Sequence, residues 1–282
     1  MYWTGGRNAG VRLRRPGQAL EGDRHRVPRG VSGCAAGQFD RVRVLVTAGP
    51  TREPIDPVRY ISNRSSGKMG YAIAEAALDA GHEVILISGP VNLAPPDEAT
   101  FVRVSTSDEM FDAVHRHADK CDICVMCAAV ADYKPAKVST AKIKKHREKV
   151  SLELIPTRDV LDSLGHWQDR QFLVVGFAAE TSDVEENAER KLREKNCDIV
   201  VANDVSSADS GMDSDLNEVT IVSRKGERRK ILRTQKAIIA RELVKIFANS
   251  ATIMFDKKNV TVTETQLSEV IPNSSPVPRV AD

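Results

Sequence analysis

From residue 42 onward, short apolar runs alternate with amphipathic stretches. Residues 42–47, V-R-V-L-V-T, are β-branched and stopped by Ala48-Gly49-Pro50, which predicts a buried strand. Residues 69–80, M-G-Y-A-I-A-E-A-A-L-D-A, have helical periodicity and are closed by Gly81, a residue suited to ending a helix. Further strands are predicted over 83–88, 101–104, 122–129, 172–178 and 198–202. Helices are predicted over 106–118, where Thr106 or Ser107 would cap, and over 183–196 and 235–247. Residues 218–223 and 227–232 read as a hairpin around Lys225-Gly226.

Strands alternating with crossover helices predict an α/β fold. The expected form is a Rossmann-like, doubly wound, mostly parallel sheet with an added β-hairpin. In such sheets ligands bind beyond the carboxyl ends of the strands, at the point where strand order reverses. The loops to inspect are therefore those after the strands. Residues 1–41 are Gly- and Arg-rich and predict a poorly ordered extension. Residues 42–248 form the expected domain, and 249–282 a loose, polar extension.

Composition adds little to this picture. At 41% hydrophobic and 28% charged the chain is ordinary for a globular protein, and a net charge of +2 gives no reason to expect nucleic acid or a membrane surface as partner. There is no signal-peptide pattern and no apolar run of membrane-spanning length. Five cysteines, three of them close together, argue against a disulfide framework and for a reducing cytoplasm.

Ser65-Ser66-Gly67-Lys68 lies just before the first helix, where free N–H groups and the helix dipole favour an anion; the alternative is an ordinary serine cap. Asn63 offers donors and an acceptor to an acyl or phosphoryl oxygen, or else stabilises a turn. Asp132 follows a strand and could ligate Mg²⁺ beside phosphates, or cap a helix. Lys134, Lys137, Lys142, Lys144 and Lys145 follow it, in a stretch that reads as a mobile basic flap over a triphosphate or as a solvated lysine run. Cys121-x-x-Cys124-x-x-Cys127 has the opening of an iron–sulfur motif but no fourth cysteine nearby, and also reads as a buried strand. The histidines show no zinc spacing.

Several segments in order, T-A-G-P-T-R-E-P-I-D-P-V-R-Y-I-S-N-R-S-S-G-K-M-G, A-A-V-A-D-Y-K-P-A, K-I-K-K, G-F-A-A-E-T and A-N-D-V, resemble the bacterial phosphopantothenate–cysteine ligases of coenzyme A biosynthesis. The resemblance implies a CTP-dependent ligation of 4'-phosphopantothenate and L-cysteine through an acyl-cytidylate, with Mg²⁺, in a homodimer. It implies that Asn63 holds the intermediate, that Arg59 contacts substrate, and that Lys142 serves nucleotidyl transfer. Met126, Cys127, Ala128, Asp132 and Phe177 would meet the nucleotide, and Lys191 and Lys195 its phosphates. The family's N-P-D-I stands here as Thr157-Arg158-Asp159-Val160, a departure at the nucleotide edge. Many bacterial members carry an N-terminal flavin-dependent decarboxylase domain. Residues 1–41 are too short for one, so the expectation is either a stand-alone ligase or one piece of a split system with a separate decarboxylase as partner, and no FMN is expected. Two other readings share the fold: an NAD(P)-dependent oxidoreductase, which lacks its G-x-G-x-x-G here, and a catalytically inactive nucleotide-binding regulator.

Overall fold

The computed structural model describes residues 41–145, 149–180, 182–204 and 214–269; the extension expected over residues 1–40 and the last residues of the tail lie outside it. The chain runs β1 (Arg43–Ala48), β2 (Arg52–Pro54), β3 (Tyr60–Ser62), α1 (Lys68–Asp79), β4 (Glu83–Ser88), β5 (Thr100–Arg103) and α2 (Ser107–His117). After a 3-10 turn come β6 (Ile123–Met126), β7 (Tyr133–Pro135), β8 (Leu154–Pro156), α3 (Val160–Gly165), β9 (Leu173–Glu180) and α4 (Val184–Glu194). It closes with β10 (Ile199–Asp204), β11 (Leu216–Ser223), β12 (Arg228–Gln235) and α5 (Lys236–Glu269).

Eight strands form one sheet in the order β12-β11-β10-β9-β6-β1-β4-β5. The six from β10 to β5 are parallel, and β11 and β12 add an antiparallel hairpin at one edge. Counted in chain order, the parallel strands lie 3-2-1-4-5-6, the doubly wound arrangement whose switch point falls between β1 and β6. The apolar runs are continuous because both faces are covered. Val44, Val46, Leu86, Val125 and Val201 point to a core shared with α1 and α5. Leu45, Ile87, Cys124, Val174 and Val200 point to a second core under α2, α3 and α4.

Local chemistry fixes the element ends. Thr106 accepts from the Glu109 N–H and Glu109 reaches back to the Thr106 N–H, a reciprocal cap that starts α2. Buried Glu53, on β2, also accepts from the Ser107 N–H at 2.8 Å, pinning that short strand to the helix. Two differences from the expected elements stand out. The strand expected over 122–129 ends at Met126, because the backbone beyond it is taken over by side chains at the switch point. The closing helix continues past 248, where a loose extension was expected, through to Glu269; Ala251 is fully buried against the core, so the small apolar residues of 248–251 extend the packing face.

Candidate active site at the switch point

β1 and β6 part company at their carboxyl ends. The Thr47 hydroxyl accepts from the N–H groups of Cys127 (3.0 Å) and Ala128 (3.1 Å), and the Thr51 hydroxyl accepts from the Ala131 N–H at 3.0 Å. One side chain at the end of β1 and one just after it thus hold the backbone that follows β6, and beside them opens a cleft of about 660 Å³. Of the residues singled out in the sequence it gathers Asn63, Ser65, Ser66, Gly67, Lys68, Met126, Cys127, Ala128, Asp132, Thr157, Arg158, Asp159, Val160, Phe177, Lys191 and Lys195. Six basic side chains line it (Arg64, Lys68, Arg158, Lys191, Lys195, Lys236) against two carboxylates, Asp132 and Asp159, a balance that favours an anion although Lys68, Arg158 and Lys195 are ion-paired.

One end of the cleft is the start of α1. Its N-cap is Gly67, at φ 77°, with no side chain capping the helix, so neither serine is the cap and the first-turn N–H groups face the cleft. Gly70 is required for a different reason: a Cβ there would meet the Ala48 Cβ at 2.6 Å, and its absence lets α1 lie against the end of β1. Asn63 bridges the two loops. Its Nδ2 donates to the carbonyls of Val130 (3.0 Å) and Ala129 (3.3 Å), which fixes the amide at the cleft wall.

The facing wall comes from the segment after β8. Thr157 binds the loop after β6 twice, through its N–H to the Asp132 carbonyl (2.9 Å) and its hydroxyl to the Ala131 carbonyl (2.6 Å). Arg158 is drawn back onto α2, with its guanidinium over the Phe111 ring and ion-paired to Asp108 and Asp112. Asp159 caps α3 by accepting from the Asp162 N–H and pairs with Lys195 at 3.0 Å. Burial pushes the Asp159 carboxyl up, but that N–H and Lys195 together hold it below its ordinary value. Lys191 donates to the Phe177 carbonyl at 3.0 Å, which sets its ammonium against β9 where that strand lines the cleft.

Arg59 and Lys142 do not line the cleft of their own chain. Arg59 grips the buried carboxylate of Asp56, through Nε at 3.0 Å and Nη2 at 2.5 Å, and donates to the Ile143 carbonyl at 2.9 Å. The Ile143 N–H donates to the same carboxylate at 3.1 Å, and the Arg59 guanidinium holds the Asp56 carboxyl far below the ordinary range. The segment expected as a flap is therefore an arm rising from the paired strands β7 and β8, tied beside Arg59 with Lys142 exposed on it; residues 146–148 of it lie outside the described residues.

Sequence reasoning missed Asn203, Asn217 and Lys236, which line the cleft from the end of β10, the start of β11 and the start of α5. Asn203 stands in the A-N-D-V segment already singled out. Asn217 and Lys236 belong to no motif and reach the cleft through the hairpin's return. Cys127 is also in the lining, but burial pushes its thiol up to about 12, so it is no thiolate nucleophile at neutral pH. Cys124 and Cys127 belong to opposite cores, which rules out a shared cluster. Among the described residues no three His, Cys, Asp or Glu side chains gather as a metal site. Asp132 offers one exposed carboxylate at the rim, which fits a Mg²⁺ that takes its other ligands from phosphate and water. No described helix is long and apolar enough to cross a membrane.

A 3-2-1-4-5-6 sheet with a lysine-lined cleft at its switch point defines a Rossmann-like α/β protein. Within that class, the chain belongs to the family described as the DNA/pantothenate metabolism flavoprotein C-terminal domain, which it matches over residues 39–250. It is 47% identical over 206 residues to the coenzyme A biosynthesis bifunctional protein CoaBC of Bacillus subtilis (73% of this chain, 50% of that protein) and 41% identical over 221 residues to that of Escherichia coli K12 (77% and 53%). The chain thus spans about half the length of the curated relatives it matches. The crystal structure of the C-terminal domain of a CoaBC protein superposes with a TM-score of 0.63 at 44% identity, covering 76% of this chain and 96% of that one. The Cab2 H337A mutant in complex with phosphopantothenate-cysteine shares the fold, at TM-score 0.64 and 18% identity over 77% and 89% of the two chains.

Proposed function

We propose that the chain is a phosphopantothenate–cysteine ligase. The observation that carries the reading is the switch-point cleft, which gathers the Asn63, Ser65–Lys68, Asp132, Thr157–Val160, Phe177 and Lys191/Lys195 positions into one cation-lined space. The relatives' shared name and the phosphopantothenate-cysteine bound to Cab2 support the same substrates for this chain.

In the first step a carboxylate oxygen of 4'-phosphopantothenate attacks the α-phosphorus of CTP. The P–O bond to pyrophosphate breaks, and pyrophosphate leaves. In the second, the cysteine amine attacks the acyl carbon and loses a proton, and CMP leaves with the electron pair of the C–O bond. A carboxylate is a poor acyl donor and a nucleotide a good leaving group, so the protein needs positioning and charge stabilisation, not a covalent nucleophile. The protonated thiol of Cys127 agrees with that. Lys191 and Lys195 neutralise phosphate charge, the α1 N-terminus holds a phosphate, and the wall-fixed Asn63 orients the acyl group. Mg²⁺ held at Asp132 would supply charge neutralisation on the phosphates. Arg59 and Lys142, both outside their own chain's cleft, act on the cleft of a second copy, which makes the working unit a homodimer. CTP is the proposed nucleotide, with ATP the competitor.

The test is product. The purified chain with 4'-phosphopantothenate, L-cysteine, Mg²⁺ and either CTP or ATP should form 4'-phosphopantothenoylcysteine, seen by mass spectrometry, with CTP strongly preferred. No product with either nucleotide would refute the reading.

A further inference from the structure

At the β10–β11 end of the cleft two amide side chains have acceptors to which no described residue donates. Asn217 is only 2% exposed, and among the described residues its Oδ1 has no hydrogen-bond partner; nor has the Oδ1 of Asn203. Buried polar atoms are almost always paired, and an orphan acceptor facing a cleft calls for a donor from a ligand.

The two belong together. Asn203 pairs with Val219 across the ladder, and Asn217 lies two residues before Val219, beside a register irregularity. By strand alternation both share the face of Val201, Val219 and Ile221, which is the face under α1 and α5. The entry to β11 also joins two helix starts. Asp215 takes the Lys68 ammonium of α1 at 2.7 Å, while Ser214 and Asp215 carbonyls take the ammonium and N–H of Lys236, the first residue of α5, at 2.5 and 2.9 Å. The acceptors therefore stand beside the positive ends of two helices and two lysines, where an anion is favoured. A ligand that satisfies the whole end carries negative charge and, next to it, hydroxyl donors.

We propose that Asn217, with Asn203 beside it and Lys236 facing the adjacent phosphate, receives the vicinal hydroxyls of the nucleotide's ribose and makes the cleft selective for ribonucleotides. Two orphan acceptors on neighbouring strands match a diol, whereas 4'-phosphopantothenate has a single hydroxyl. The proposal rests on the nucleotide-dependent reading above.

The experiment is calorimetric binding of CTP, 2'-deoxy-CTP and 3'-deoxy-CTP, and the same three forms of ATP, to the wild type, Asn217→Leu and Asn217→Ala. Wild type should bind the ribonucleotide about tenfold more tightly than at least one deoxy form, the worth of one buried hydrogen bond. Both variants should lose about tenfold for the ribonucleotide and less than about twofold for that deoxy form. The ratio is read within each variant, so it survives partial misfolding. Equal losses across all three forms, or no ribose preference in the wild type, would overturn the assignment. A loss that instead follows deletion of the 4'-phosphopantothenate hydroxyl would overturn it too, and hand the acceptors to that substrate. Ribose-selective binding without ligation would sink only the ligase reading; no nucleotide binding at all would sink both.

Discussion

The cleft wall and the arm are built on opposite terms. The wall is the frayed end of a doubly covered sheet: Thr47, Thr51, Asn63 and Thr157 each spend a side chain on another loop's backbone, so its geometry follows from the sheet's packing. The arm rests on two three-residue strands and exposes Tyr133, Val138, Leu154 and Ile155. Among the described residues its ties to the body include the Asp56 carboxylate beside Arg59, the Ile55 carbonyl that takes the Ser139 N–H and the Asp108 carboxylate that takes Lys134. Positions that belong to one site by resemblance are therefore divided between a rigid wall and a lightly held arm. Stability and chemistry should separate along that division.

The largest expected effect is on the wall's foundation. Phe172 is fully buried, its ring edge-on to Trp167, and Phe172→Ala should cost about 3–5 kcal/mol in chemical denaturation. A cost near zero would mean that the wall does not draw its geometry from the core. On the arm the pattern should invert. Lys142→Gln should lower pyrophosphate release by about 10²–10³-fold, the range for removing a group that stabilises transition-state charge, with the melting temperature unchanged because the side chain is exposed. Persistent release would remove Lys142 from the chemistry.

Asn63→Asp tests the seam between the regions. It sets a carboxylate against the carbonyls of Ala129 and Val130, and should slow the cysteine-dependent step by roughly tenfold, so that acyl-cytidylate accumulates in quenched samples. Wild-type turnover would withdraw the role. Asp108→Asn loosens the base of the arm. Its pairs are partly exposed, so unfolding should change by no more than about 1 kcal/mol, while the KM for nucleotide rises a few-fold. His82 serves as a control far from both regions, at the amino end of β4. Burial lowers its pKa from the ordinary 6.5, so the unfolded chain takes up the proton more readily. The stabilising contribution is complete above pH 6.5 and lost as the pH falls toward the folded-state value. His82→Gln should flatten that part of the stability profile and leave turnover untouched.

What could be read from the sequence follows the same division. The strand at Glu83–Ser88 and the Thr106 cap were legible because apolar runs and capping chemistry are local. The cleft's early loops were legible because they follow strands. β2, β3, β7 and β8 were not: three residues leave no periodicity to detect. Asn217 and Lys236 were hidden because a returning hairpin, not a motif, carries them to the cleft. Residues 250–254 read as polar tail because only Ala251 and Met254 mark the face that packs.

The most direct test of the central claim omits the amino acid. With CTP, 4'-phosphopantothenate and Mg²⁺ but no cysteine, the chain should release about one pyrophosphate per site in a burst and hold the acyl-cytidylate; adding cysteine should then discharge CMP and product. Pyrophosphate that appears only once cysteine is present would contradict an acyl-nucleotide formed in this cleft.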